Sequence, residues 1–223
     1  MTQAKKMSRR QFLLMAASTT VVAGGGLTYL TVRQPEIDFA TITCNANSNG
    51  KKILVAYASQ YGSTSEVAEA IGEVFCGGGT AVDVLSITNV TDLSGYDAVV
   101  LGAPIQSEAW KPDAVTFVQT HEAALSRIPT AFFTTSMTLG LAGNRPEIRQ
   151  QIDSHLDAVR AQFPAVQPVD VGHFAGALDY SKMSFAMAQL YRAFAEDDTD
   201  GDYRDWNAIR SWATAVQPKL LSV

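Results

Sequence analysis

The run Ile53-Leu54-Val55-Ala56-Tyr57-Ala58, the turn Ser59-Gln60-Tyr61-Gly62-Ser63-Thr64 and the segment Ser65-Glu66-Val67-Ala68-Glu69-Ala70-Ile71 decide how this chain is read. The first suits a strand buried on both faces, and the last carries apolar residues at helical spacing. A strand-to-helix turn gathers backbone N–H groups at the positive end of a helix dipole, and Ser59, Ser63 and Thr64 add hydroxyl donors at the same point. A phosphate can be held there without any Lys or Arg. The turn lacks the Gly-Lys-[Ser/Thr] ending of a Walker A loop and the Gly-x-Gly-x-x-Gly of dinucleotide sites, so it points to a mononucleotide monophosphate. The plainer alternative is a Ser/Thr-Gly cap on a helix that follows a buried strand.

Working outward, apolar runs recur at 81–87, 98–102, 130–134 and 169–175, with helices expected over 64–76, 112–126 and 146–162. Pro112 and Pro146 stand where a helix tolerates proline in its first turn. Strand and helix alternate, which defines an α/β domain with a parallel sheet. About 170 residues after a polar linker at 34–50 are enough for one compact core.

With Ser59, Tyr61, Gly62 and Thr64 in place, the first loop resembles the flavodoxin pattern [Ser/Thr]-x-[Thr/Tyr]-Gly-x-Thr, which wraps the phosphate of FMN. The resemblance implies a three-layer α/β/α sandwich on a five-stranded parallel sheet of order 2-1-3-4-5, with FMN beyond the carboxyl ends of the strands. Gly102-Ala103-Pro104 then looks like the Gly-x-Pro turn of the loop facing the first. Two arrangements are open for that loop: Trp110 stacks on the flavin ring, or Ile105 and backbone groups touch it while Trp110 packs underneath. A third loop, 135–144, is expected to close over the flavin, with Thr135, Ser136, Met137, Thr138 and Gly140 near the ring's pyrimidine edge. It has no aromatic residue, which suggests an open flavin face. The full set of expected cofactor contacts is Ser59, Gln60, Tyr61, Gly62, Ser63, Thr64, Pro104, Ile105, Trp110, Thr135, Ser136, Met137 and Gly140.

Phe174-Ala175-Gly176-Ala177-Leu178-Asp179-Tyr180 and Asp202-Tyr203-Arg204-Asp205-Trp206 extend the resemblance to the menaquinone-dependent protoporphyrinogen IX dehydrogenase branch of the flavodoxin superfamily. Coverage is then 52 to about 216.

Residues 1–33 carry Lys5, Lys6, Arg9, Arg10 and Arg33 and no acid, and Ser8-Arg9-Arg10-Gln11-Phe12-Leu13 resembles the twin-arginine export signal. That resemblance implies export as a folded, cofactor-loaded protein, whereas haem synthesis in the related branch is cytoplasmic. Residues 11–32 are long enough to span a bilayer, about 20 being needed, so the domain is either released or stays tethered to the membrane. Export also permits a disulfide between Cys44 and Cys76, although Cys76 reads more simply as a small buried hydrophobe. Neither cysteine has metal spacing.

The whole chain has 17 basic and 22 acidic residues, and the five basic residues of the leading segment removed, 12 face 22. Such acidity argues against nucleic acid as a partner, suits a basic redox protein, and would disfavour negative charge on the ring. The run Glu196-Asp197-Asp198-Thr199-Asp200-Gly201-Asp202 is no calcium loop, because Asn207 falls where a bidentate Glu is required. Asp202 and Asp205 are expected to cap the last helix, and Met183, Met187, Leu190, Tyr191 and Phe194 to pack on the sheet, with a quinone or membrane contact as the sharper alternative. His121 and His155 read as surface groups and His173 as a core histidine, so no metal cluster and no catalytic acid or base is named. The expectation is an FMN oxidoreductase exchanging electrons with a quinone or small organic substrate. Its alternative is an exported electron carrier for a protein partner. The resemblance also admits a homodimer.

Overall fold

A computed structural model describes residues 33–45, 50–194 and 199–222. In chain order, β1 (Ile42–Cys44) and β2 (Lys52–Tyr57) precede α1 (Ser63–Gly77) and β3 (Ala81–Ser86). Next come β4 (Ala98–Gln106), β5 (Ala109–Trp110), α2 (Pro112–Leu125) and β6 (Thr130–Ser136). Three short helices follow, α3 (Met137–Ala142), α4 (Pro146–Ser154) and α5 (Asp157–Gln162), and then β7 (Pro168–Ala175). An excursion of β8 (Ala177–Leu178), α6 (Phe185–Phe194) and β9 (Gly201–Asp202) precedes α7 (Trp206–Leu221).

The parallel strands lie in the order β3-β2-β4-β6-β7, the 2-1-3-4-5 order expected. Strand β2 shows why the sheet is covered twice. Ile53, Val55 and Tyr57 pack with Val67, Ile71 and Phe75 of α1 and with Ile209, Ala213 and Val216 of α7. Leu54, Ala56 and Ala58 join Phe117 and Val118 of α2 and Leu156 on the other face. Successive side chains point to opposite faces, so a continuous apolar run fills both cores. Each fully buried aliphatic or aromatic side chain there contributes about 1.5–3 kcal/mol. Gly102 opposes Phe133 across β4 and β6, and a Cβ on it would sit 1.8 Å from the Phe133 ring; the ring lies where that side chain would be.

Four expectations change. The linker at 34–50 is not featureless: β1 pairs antiparallel with β3 through Ile42 and Val84, and residues ahead of it lie on the domain. Cys76 is not a free hydrophobe but is joined to Cys44, which ties β1 to the last turn of α1. The helix expected over 146–162 breaks at His155 and Leu156, where i→i+3 bonds from His155 to Ile152 and from Leu156 to Asp153 close α4 and turn Leu156 into the core. The loop after β6 is in part the helix α3, capped by Ser136, whose Oγ accepts from the Thr138 N–H.

The last helix is capped by Asp205 alone, which accepts from the Ala208 N–H. Asp202 instead takes the guanidinium of Arg204. The expected export signal lies outside the described residues. Among the described residues no helix is long and apolar enough to cross a membrane.

Candidate functional site

The turn between β2 and α1 is built around Gly62, whose φ of 89° is a left-handed conformation that side chains disfavour. Its N–H donates to Ser59 Oγ at 3.1 Å, and its carbonyl accepts from Ser65 Oγ at 2.8 Å and from the Glu66 N–H at 3.1 Å. The N–H groups of the first helical turn have no acceptor within the helix, so the turn presents donors to whatever lies beyond it.

The hydroxyls there are arranged as donors. Ser59 Oγ accepts from Gly62 and Ser63 Oγ accepts from the Ala177 N–H at 2.8 Å, so each keeps its proton for a ligand. Thr64 Oγ1 and Thr135 Oγ1 pair at 2.8 Å while both are buried. One of the two protons serves that bond and the other is free.

A cavity of about 670 Å³ opens over this turn at the carboxyl ends of β2, β4 and β6. Of the residues read from sequence, Ser59, Gln60, Tyr61, Ser63, Thr64, Pro104, Ile105, Thr135, Ser136 and Met137 line it. Gly62 shapes the turn from behind. Trp110 is a correction: it is buried under the β4–β5 hairpin, its Nε1 donates to the Ala103 carbonyl at 3.2 Å, and its ring lies 5.1 Å from Phe132. Ile105, the cross-strand partner of Trp110, packs against the same core and also reaches the cavity, which Trp110 does not. Gly140 also lies off the cavity, packed so closely on Tyr203 that a Cβ would come within 2.7 Å of it.

The excursion after β7 supplies a wall that was outside the expected set of cofactor contacts, although its stripe had a quinone contact as the alternative reading. Leu178, Met187, Leu190, Tyr191 and Thr199 line the cavity. The apolar stripe of α6 therefore faces the site and not the sheet, and Tyr191 provides the aromatic that the third loop lacks. Met187 and Leu178 also touch a small core of Tyr180, Met183 and Ala188, with Tyr61 against it. The signal was the helical spacing of Met187, Leu190 and Tyr191, but spacing does not say what the stripe meets.

Ion pairs hold the excursion to α1. Glu66 receives Lys182 Nζ at 2.9 Å and Arg204 Nη1 at 2.6 Å, and Arg204 also pairs with Asp202 at 2.7 Å. Burial pushes the Glu66 carboxyl up, but bonds from Lys182 and Arg204 outweigh it and hold the group below its ordinary value. A smaller cavity of about 310 Å³ beside the turn is lined by these same charged groups.

The larger cavity has a different character, because no Asp, Glu, Lys, Arg or His is among the described residues that line it. Burial and the neighbouring Tyr191 phenol both push the Tyr61 phenol up, so it remains neutral and can donate. His173 lies elsewhere, bonded through Nδ1 to Thr134 Oγ1 at 3.0 Å and through Nε2 to Asp153 at 3.3 Å, and burial pushes it down. Among the described residues no cluster of side chains could hold a metal ion.

Fold and cavity together define a doubly wound α/β protein with a cradle of N–H and hydroxyl donors at the switch point of its sheet. The flavodoxin domain model matches residues 54–202, and the chain belongs to that family. It is 28% identical over 193 residues to "Protoporphyrinogen IX dehydrogenase [quinone]" of Leishmania major, covering 79% of each chain. It is 24% identical over 174 residues to the protein of the same name from Escherichia coli K12, covering 74% of this chain and 94% of that one. Among solved structures, flavodoxin 2 of Bacillus cereus aligns with a TM-score of 0.46 and 19% identity over 75% of this chain and 99% of that one. A flavodoxin domain implies a flavin cofactor, and the residues present fit one: a donor-lined, cation-free cradle at a helix N-terminus leads into a mixed polar and apolar cavity of ligand size.

Proposed function

We propose that the protein binds FMN and exchanges electrons between it and a quinone or small organic substrate, in the manner suggested by relatives named protoporphyrinogen IX dehydrogenase [quinone]. The observation that carries the proposal is the division of the cavity. One end is a phosphate cradle at Ser59, Ser63 and Thr64, and the other is an uncharged wall of Ile105, Leu141, Leu178, Met187, Leu190 and Tyr191. When bound, the flavin supplies the redox chemistry.

The chain's own residues anchor and shield. The first-turn N–H groups and hydroxyls meet a phosphate dianion without a cation. Thr135, Ser136 and Thr138 offer donors from β6 and α3, and Ile105 offers an apolar surface. The wall of α6 excludes water from one side and is apolar enough for a second aromatic molecule. Among the described lining residues the groups that can pass a proton are hydroxyls and phenols, including Ser59, Ser63, Thr64, Thr135, Thr138, Tyr61 and Tyr191.

Export belongs to the same proposal. The Ser8-Arg9-Arg10-Gln11-Phe12-Leu13 motif is joined by an independent feature, the Cys44–Cys76 disulfide, since disulfides persist in oxidising compartments and are rare in the cytosol.

The test is anaerobic mixing of flavin-loaded protein with protoporphyrinogen or a reduced menaquinone analogue, followed in the visible spectrum. Bleaching of the flavin bands is expected. Bound flavin that ignores both compounds but is reduced by a basic redox protein would overturn the proposal in favour of a carrier.

A further inference from the structure

We propose that residues 34–44 form a strap that braces the cradle turn, and that the Cys44–Cys76 bond sets the strap, so that a dithiol reductant opening this bond loosens the turn and releases FMN. The identity of the released group rests on the flavin reading above; the bracing of the turn does not.

The first observation is what the strap touches. From Gln34 to Thr41 the chain runs over the surface without regular structure, and of these residues only Ile37 and Ala40 are half-buried. Three contacts fall on the cradle turn or on the strand that leads into it. Gln34 Nε2 donates to the carbonyl of Gln60, a cavity-lining residue, at 2.9 Å. The Ile37 side chain lies 3.3 Å from where a Cβ on Gly62 would stand. Tyr57, the last residue of β2, donates through Oη to the Ala40 carbonyl at 2.7 Å. Burial pushes the Tyr57 phenol up to about 12, so it stays a neutral donor, and the strap supplies the acceptor that a buried hydroxyl requires.

The second observation is what holds the strap. These contacts are too few to offset the entropy of ordering residues 34–41. The strap is held at its end instead. β1 adds three residues at the sheet edge beside β3, and Cys44, its last residue, is joined to Cys76. The segment closed by that bond, 32 positions long, contains β2, the cradle turn and α1 as far as its last turn. One bond therefore ties both elements that flank the cradle to the strap that crosses it.

The third is access. Cys44 and Cys76 are half-buried and lie beside exposed Thr43, Asn45 and Gly77, within reach of a small reductant. A dithiol attacks one sulfur and then closes on itself; two electrons and two protons pass to Cys44 and Cys76, which become thiols, and the reductant becomes a disulfide. The strap and Cys44 precede residues 54–202, so the device stands ahead of the part of the chain that the flavodoxin model matches. Because strap and ligand bias the same turn, their coupling is reciprocal: FMN also protects the bond.

The test uses the full chain stripped of flavin, with the bond intact or opened by dithiothreitol. NMR order parameters of the Gln60 to Ser63 amides are compared with those of β6. Opening is expected to lower the first set from the rigid value of about 0.85 toward about 0.6 and to leave β6 unchanged. FMN affinity is expected to fall about 5-fold or more, the lower end of ordinary coupling between sites. Riboflavin, which has the same ring and no phosphate, is expected to be unmoved and controls for any action of the reductant on the ring. Saturating FMN is expected to raise, by the factor lost from its affinity, the ratio of reduced to oxidised dithiothreitol that half-opens the bond. Gln34→Ala/Ile37→Ala, with the bond intact, is expected to reproduce part of the FMN loss. Unchanged order at Gln60 to Ser63, an equal loss of order in β6, or an FMN affinity indifferent to opening would each overturn the proposal. So would a loss on opening that Gln34→Ala/Ile37→Ala does not share, because the bond would then act through α1 alone. A chain that takes up no flavin fails the functional reading, and the order parameters still decide whether the strap braces the turn.

Discussion

Replacing Thr64 by Val removes one hydroxyl from the cradle, together with its bond to Thr135, and keeps the side chain's shape. The side chains have nearly the same shape, and Thr64 is buried in the first turn of α1. Its Oγ1 is within 2.8 Å of Thr135 Oγ1; when Thr135 donates, the Thr64 proton is left to point at the ligand phosphate. A hydrogen bond to a charged group is worth about 1.5–3 kcal/mol, and the loss of one weakens binding about 10- to 150-fold at 1.4 kcal/mol per decade. Titrating deflavinated protein with FMN, followed by flavin fluorescence, measures this directly. Riboflavin is the control because it has the ring and ribityl chain but no phosphate. Thr64→Val is expected to weaken FMN by that factor and leave riboflavin affinity unchanged. An equal loss for both, or no loss for FMN, would refute the assignment of this turn to phosphate.

Two further outcomes follow from the ties that frame the site. Cys44 and Cys76 are 32 positions apart, and the chain-entropy estimate for a loop of that size is about 4 kcal/mol. At about 2–4 °C per kcal/mol for a domain of this size, Cys44→Ser/Cys76→Ser is expected to lower Tm by about 8–15 °C, and reductant to do the same to the parent; a Tm unmoved in calorimetry would show that the bond is not formed. Glu66 has a native pKa held below its ordinary 4.5, so its contribution is present above that value and is lost as pH falls through the lowered one. The parent is therefore expected to exceed Glu66→Gln in stability at neutral pH, with the two denaturation curves converging in acid; a gap that stayed constant with pH would exclude this ion pair as its source.

The buried strands and the first loop were legible because both rest on local chemistry, and the strand order came with the family resemblance that the loop carries. Alternate residues of β2 feed two cores, which a continuous apolar run announces, and a Ser-x-Tyr-Gly-x-Thr turn has few uses after such a strand. What was not legible depends on long-range placement. Trp110 was open to two readings because the hairpin that buries it turns through Ser107 and Glu108, two positive-φ residues without the glycine that would announce such a turn. The α6 stripe has the spacing of a core helix, and contacts over 100 residues apart in sequence, Lys182 and Arg204 with Glu66 and Ala177 with Ser63, hold the excursion over the cavity. The strap at 34–41 is polar and lacks periodicity; it is held by single contacts from Gln34, Ile37 and Ala40, none of which has a sequence signature.

The central claim is that this cavity holds FMN. Its most direct test is the absorption spectrum of the purified full chain, with the released chromophore identified by chromatography after denaturation. One FMN per chain, present on isolation or taken up on incubation and lost in part from Thr64→Val, is the result this account predicts. A colourless protein that takes up no flavin at saturating FMN would contradict it.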